Sequence, residues 1–240
     1  MPAVQSGRCS IWYETLGDGP PLVMVYGVGG DSRQWWDRFP DVLARRYRLV
    51  LVDNRGTGQS DQPLTPWTMG DMVADVRAVV AAEGLRAFHL LGCSLGTVVT
   101  RHYARTYPQS IRSLTLLCPP NGVLASDEDM RLALFWDRTK ALIESARASW
   151  PVVHPAEWVQ DNDALLTAKF EASLVRPTPP HTYQYQLAAS TAAGDPNAGL
   201  GGAPWPILIA HGSADRLVPL ENAFLAHEAL PGSRLEIMDG

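Results

Sequence analysis

The stretch Phe88-His89-Leu90-Leu91-Gly92-Cys93-Ser94-Leu95-Gly96-Thr97-Val98-Val99-Thr100-Arg101 decides how the rest of the chain is read. Its first four residues form an apolar run short enough for a buried strand. Beyond it, Leu95, Val98, Val99 and His102 recur at helical spacing. Between strand and helix lies a G-x-S-x-G over Gly92–Gly96. A serine raised on so sharp a turn has a strained backbone. Glycines two residues to either side let strand and helix approach without a Cβ between them. The helix N-terminus then directs free N–H groups and its dipole toward the serine, where an oxyanion would form. The five-residue pattern also arises by chance. The strand before it and the helix after it make Ser94 a candidate nucleophile.

The bulk composition narrows the classes. With 240 residues, 46% of them hydrophobic, the chain can bury one large core and carry one inserted subdomain. Charged residues make up 19% with a net charge of −5 and no basic stripe, which argues against a nucleic-acid partner. No apolar run approaches a membrane span, and Met1-Pro2-Ala3-Val4-Gln5-Ser6 lacks the features of a signal peptide. Cys9, Cys93 and Cys118 lie far apart without a C-x-x-C, so neither a disulfide frame nor a zinc site is suggested. The expectation is a cytoplasmic protein without metal or cofactor, acting on a small-molecule substrate. Nothing in the chain sets its oligomeric state.

The elbow resembles the nucleophile elbow of the α/β-hydrolase family, with Thr97 where that pattern often carries a further glycine. Upstream, Arg8–Leu16 has strand composition and Gly17-Asp18-Gly19-Pro20 closes it. Pro21–Gly27 is a continuous apolar run, as expected of a strand buried on both faces of a parallel sheet. It ends in Gly27-Val28-Gly29-Gly30, with Asp31-Ser32 able to cap a helix. This loop has three readings. One is a dinucleotide fingerprint with Asp53 as the ribose acid, although its third glycine falls on Ser32. The second, implied by the resemblance, is an oxyanion loop in which the Val28 N–H turns toward the nucleophile and Tyr26 replaces the usual histidine. The third is a plain tight turn.

Tyr47–Asn54 reads as the next buried strand. Arg55–Asp61 after it resembles the family's Asp-x-Arg-Gly-x-Gly-x-Ser loop, with Asp53 and Arg55 expected to pair and pin it. Met69, Met72, Val73, Val76, Val79 and Val80 mark an amphipathic helix that ends near Gly84. Strands alternating with helices argue for a parallel sheet covered on both faces. Ile111–Pro119 is a further strand, and Pro119, Pro120 and Asn121 after it offer no carboxylate. Over 122–202 the strand rhythm stops. Ser126 opens a helix with an acidic first turn, continued through Leu132, Phe135, Trp136, Leu142 and Ile143. Helical pieces over 155–174 and 183–193 follow, separated by Pro151, Pro177, Pro179 and Pro180. The segment reads as a helical cap over the site, its aromatic residues packing mainly on the core and His154 and His181 serving as packing or surface residues. No Lys/Arg cluster stands out within it that would clamp a phosphorylated carrier, though its dispersed arginines could converge in space.

Trp205–Gly212 restores the buried strand, and Ser213–Pro219 resembles the family's Gly-x-x-Asp-x-x-Val-Pro. The resemblance makes Asp215 the triad acid, against the plainer reading of a helix-flanking carboxylate. A helix over Pro219–Leu230 and a strand over Ser233–Met238 follow. The expected fold is therefore α/β: a mostly parallel twisted sheet with helices on both faces. Residues 1–121 and 203–240 form the core and 122–202 the inserted cap.

The resemblance runs from about Arg8 to Met238 except for the cap. It implies hydrolysis of a small to medium, largely apolar ester, lactone or thioester. Ser94 attacks, the Val28 and Leu95 N–H groups hold the oxyanion, and Asp215 orients a histidine that serves as base. A serine at the elbow argues against the haloalkane dehalogenases and epoxide hydrolases, which use a carboxylate there. C–C bond hydrolases and perhydrolases remain open, as does a ligand-binding protein with little turnover. A nucleotide-binding oxidoreductase is the more distant alternative. Cys93 is expected to pack away from the pocket as a small hydrophobe.

One part of the pattern is missing. The family's histidine follows the final strand, yet here Leu235-Glu236-Ile237-Met238 leads into Asp239-Gly240. None of His89, His102, His154, His181, His211 and His227 takes its place in the pattern. The expectation is that the native chain continues past Gly240, with a histidine within about ten residues and a helix after it. The 240-residue chain alone would then be catalytically feeble.

Overall fold

The apolar runs of the sequence become the central strands, and alternate residues of each run point to opposite faces. Residues 2–35, 38–134 and 141–239 are described in this computed structural model. Eight strands form one sheet: β1 (Ala3–Ser6), β2 (Cys9–Leu16), β3 (Pro21–Val25), β4 (Arg48–Val52), β5 (Phe88–Cys93), β6 (Ile111–Leu117), β7 (Ile207–Gly212) and β8 (Arg234–Met238). Their order is β1-β2-β4-β3-β5-β6-β7-β8. β1–β2 and β2–β4 pair antiparallel, and the other neighbours pair parallel. The short strand β1 has no counterpart in the sequence reading. Its four residues carry too little hydrophobic pattern to register.

Val23, Val25, Val50, Val52 and Leu90 face one layer, shared with helices α2 (Met69–Ala82), α3 (Leu95–Thr106) and α9 (Glu221–Ala229). Leu22, Met24, Leu49, Leu51 and Leu91 face the other, where Trp35 and helix α1 (Phe39–Ala44) cover them. The helices thus lie on both faces. All six apolar positions expected along α2 are buried. Thr68 caps that helix and exchanges hydrogen bonds with Asp71, a capping box. At the β8 side Phe224, Leu225, Ile237 and Met238 are exposed. No helix among the described residues is long and apolar enough to cross a membrane.

Between β6 and β7 the described chain holds helices α4 (Asp127–Leu134), α5 (Leu142–Val153), α6 (Ala156–Asp161), α7 (Asp163–Ser173) and α8 (Pro180–Ala192). Two details differ from the sequence reading. Leu142 and Ile143 open their own helix and do not extend α4, while Phe135 and Trp136 lie outside the described residues. Pro151 sits inside α5 and separates nothing, because in the last turn its missing N–H costs a single bond. Both ends of the insertion meet Arg101 of α3. Its guanidinium donates to the Pro120 carbonyl (2.8 Å), Asn121 Oδ1 (3.1 Å), Asn197 Oδ1 (2.7 Å) and the Thr97 carbonyl (3.1 Å). Burial among neutral acceptors pushes the Arg101 pKa down to about 9.

The expected Asp53–Arg55 pair does not form, because the two side chains leave the end of β4 in different directions. Arg55 reaches α2, donating to both oxygens of Asp75 at 2.6 Å. Asp53 accepts the Ser32 N–H and the Gln59 N–H, each at 2.8 Å, and so ties the loop after β3 to the loop after β4. At Gly58 a Cβ would stand 2.1 Å from Asp53 Oδ2, so glycine is required there.

Two stability predictions follow from these buried groups. Asp75→Leu leaves the buried Arg55 charge unpaired and should cost about 3–5 kcal/mol in urea unfolding, whereas combining it with Arg55→Met should recover most of the loss. Asp53 behaves differently, because burial raises its carboxyl to about 6 while an unfolded aspartate titrates near ~4. Between those values the folded state binds more protons, so this group's contribution to stability falls as pH rises from about 4 to about 6. The stability advantage of the wild type over Asp53→Asn should shrink across that window by roughly 2–3 kcal/mol and stay level above it.

Candidate functional site

Ser94 sits between β5 and α3 with φ 49° and ψ −121°, a region that costs a non-glycine residue about 1–3 kcal/mol. Close backbone packing holds it there. A Cβ on Gly92 would stand 2.5 Å from the Gly96 carbonyl oxygen, and one on Gly96 2.1 Å from that of Val25. Neither can be relieved by turning a side chain. The Ser94 N–H donates to the Leu117 carbonyl at 2.9 Å. The Ser94 carbonyl accepts the Thr97 N–H (2.8 Å) and the Thr97 hydroxyl (2.7 Å). Thr97, where the family pattern often has glycine, thus adds a clamp on the strained residue. Leu95 is the first residue of α3, so its N–H has no intrahelical acceptor and is available beside Ser94.

The loop after β3 runs alongside. A Cβ on Gly27 would lie 3.2 Å from Ser94 Cβ, which measures how closely the two backbones meet. The Gly29 N–H donates to Gln186 Oε1 (2.8 Å) and the Gly30 N–H to the Gly27 carbonyl (3.3 Å). Among the described residues nothing accepts the Val28 N–H, and Val28 borders the same cavity as Ser94. Tyr26 packs edge-on against Trp35 at 4.8 Å, and its carbonyl accepts from Asn54 Nδ2. The dinucleotide reading fails on Asp53, which is 1% exposed and bonded to two backbone N–H groups, so it cannot meet a ribose.

Asp215 follows β7 and also borders the cavity. Its Oδ1 accepts the Leu217 and Val218 N–H groups at 2.9 and 2.8 Å. Oδ2 lies 3.6 Å from His211 Nε2. Burial raises the Asp215 pKa above the usual carboxylate value, opposed by the Val218 N–H, by His211 and by the Leu217 N–H. His211 itself is fully buried, with Nε2 2.6 Å from the Val218 carbonyl, so the ring donates there and supports the acid loop from below.

Three of the other histidines are hydrogen-bonded elsewhere. His89 Nδ1 meets Ser113 Oγ at 2.7 Å, His227 Nδ1 meets Ser233 Oγ at 2.7 Å, and His102 Nδ1 meets Arg105 Nη2 at 2.5 Å. His181 leans on Tyr185. His154 borders the cavity from the insertion, its ring 4.8 Å from that of Trp158. Among the described residues, none hydrogen-bonds Ser94 Oγ.

The cavity holds about 410 Å³, with Trp150, Trp158, Leu166, Phe170 and Tyr183 lining it from the insertion. Arg33, Lys169 and Arg176, which lie on separate segments, also border it. Cys93 corrects an expectation. It packs in the cluster with Leu91 and Trp35, yet borders the cavity with its Sγ 3.8 Å from that of Cys118. The contact with Cys118, together with burial, pushes the Cys93 thiol pKa well up. No group of three or more metal-ligating side chains occurs among the described residues. Gln186, Thr178 and Tyr183, all against the Gly29 loop, carried no sequence signal, since only the folded insertion brings them there.

Known proteins share the fold. A family model described as alpha/beta hydrolase fold matches residues 20–240. The chain is similar to the putative carbamate hydrolase RutD of Azorhizobium caulinodans, 29% identical over 244 residues, covering all of this chain and 90% of that one. Among solved structures, the esterase RhEst1 from Rhodococcus sp. ECU1013 superposes with a TM-score of 0.84 at 26% identity, over 99% of this chain and 89% of that one. The meta-cleavage product hydrolase CumD from Pseudomonas fluorescens IP01 shares the fold, with a TM-score of 0.82 at 17% identity over 100% and 89% of the two chains.

Proposed function

The chain belongs to the α/β-hydrolase fold family, and from that premise we propose that it is a serine hydrolase of small to medium carboxylic esters, lactones or thioesters. The observation that carries this reading is the strained Ser94 elbow sharing one cavity with Asp215 and the loop around Val28. Ser94 Oγ adds to the acyl carbon, and the carbonyl oxygen takes up negative charge between the Val28 and Leu95 N–H groups. The alcohol or thiol leaves with a proton, and water then releases the acid from the acyl-serine. The aromatic lining from the insertion favours an apolar acyl group. In this reading residues 1–121 and 203–240 are the hydrolase core, 122–202 its cap, and the substrate a small molecule, with neither nucleic acid nor membrane taking part.

The proton of Ser94 needs an imidazole between Oγ and Asp215. With Oδ1 held by two backbone N–H groups, Oδ2 is the oxygen left to orient it. His89, His102, His211 and His227 are hydrogen-bonded elsewhere, and His154 borders the cavity without a hydrogen bond to Ser94 Oγ. A carbamate is the second substrate class, favoured by the similarity to RutD along the whole chain. Its carbonyl would be attacked in the same way.

Hydrolysis of p-nitrophenyl esters of graded acyl length tests the reading. In the native protein Ser94→Ala should lower kcat/KM by about a thousandfold or more with unchanged circular dichroism. Undiminished hydrolysis in that variant contradicts the assignment.

A further inference from the structure

Gln186 has no exposed surface, and both ends of its carboxamide are bonded to backbone of the core. Oε1 accepts the Gly29 N–H at 2.8 Å, and Nε2 donates to the Arg55 carbonyl at 3.3 Å. The same glycine is held on its other side, where the Thr178 hydroxyl donates to the Gly29 carbonyl at 2.8 Å. The Tyr183 ring fills the space of a Gly29 Cβ, which would lie 2.2 Å from Tyr183 Cε1. All three side chains belong to the insertion. They therefore take up both polar backbone groups of Gly29 and close the space beside its Cα.

Gly29 is one residue from the Val28 N–H, in a loop where three of four residues are glycine and φ of Gly29 is +68°. Such a sequence has wide conformational freedom of its own. An oxyanion donor works only if it already points at the charge before the charge develops. Fixing the Gly29 N–H fixes the plane of the Val28–Gly29 peptide, and with it the range of directions open to the Val28 N–H. The task needs an acceptor toward Gly29 and a donor toward Arg55 on one neutral group, which a carboxamide supplies.

We propose that Gln186 is a positioning residue of the oxyanion hole, holding the Gly27–Gly30 loop in its catalytic form from the helical insertion. The proposal rests on the serine-hydrolase reading above. It adds a working part to the insertion, which otherwise only walls the cavity.

The test uses the native protein, a p-nitrophenyl ester, and an alkyl boronic acid that forms a tetrahedral adduct on the serine. Gln186→Met keeps the length of the side chain and removes both hydrogen bonds. Its kcat should fall about 10- to 100-fold with KM within about threefold, and boronic acid affinity should fall by a matching factor. Gln186→Glu keeps an acceptor for the Gly29 N–H and should retain more of both than Gln186→Met. If kcat and boronic acid affinity of Gln186→Met stay within about twofold of wild type, the proposal is overturned. A rise in KM with kcat intact overturns it as well, since Gln186 would then act on substrate binding. If Gln186→Met does not fold, Gln186→Glu decides, because its folded form should still show parallel losses in kcat and boronic acid affinity. Ser94→Ala runs alongside: turnover that survives it refutes the underlying reading and not the role of Gln186 alone.

Discussion

The site depends on how closely α3 is seated against the end of β3. At Gly96 a single methyl would come within 2.1 Å of the Val25 carbonyl oxygen, and at Gly92 within 2.5 Å of the Gly96 carbonyl oxygen. With backbone against backbone, the chain has one residue in which to turn from strand to helix, and Ser94 takes the unfavourable φ. The strain is local and small beside the burial around it. Leu95, Val98, Val99 and Tyr103 of α3 are all sunk in the core, so relaxing the elbow would lift a whole helix off the sheet. The same close approach brings the Gly27–Gly30 loop against Ser94. Ser94 and the backbone of the glycine loop are thus brought together by one packing contact.

The insertion between β6 and β7 is fastened to this centre at several points. Arg101, two turns along α3, gathers both ends of the insertion through Pro120, Asn121 and Asn197. Asp129 of α4 pairs with Arg216, the residue after Asp215. Thr178 and Gln186 bond to Gly29, and Lys169 donates to the Trp35 carbonyl. Movement of the insertion would therefore be felt at the glycine loop and at the acid loop. A guanidinium buried among neutral acceptors, as at Arg101, is costly unless each acceptor stays in reach, and this favours a single seating of the insertion.

What the sequence made legible was what local pattern and close backbone approach dictate. The strand runs at Pro21–Val25 and Arg48–Val52, the helix spacing from Met69 to Val80 and the glycines of the elbow each left a periodic or positional mark. They were enough for the sheet and its two covered faces. Long-range polar pairings left none. Arg55 lies beside Asp53 in sequence, yet its partner is Asp75 on α2, because the direction in which a side chain leaves a strand end is set by tertiary packing. Gln186 is 157 residues from the glycine whose N–H it accepts, and no spacing rule connects them. Within the insertion, Pro151 marked no boundary, because a proline in a last helical turn is tolerated.

The central claim is that the packing at the elbow makes Ser94 a nucleophile. The most direct measurement is labelling of the native protein with a fluorophosphonate probe, followed by peptide mapping of the adduct. The account predicts one modified residue, Ser94, with labelling lost in Ser94→Ala and slowed by a competing ester. An adduct on any other residue, or equal labelling of Ser94→Ala, would contradict it.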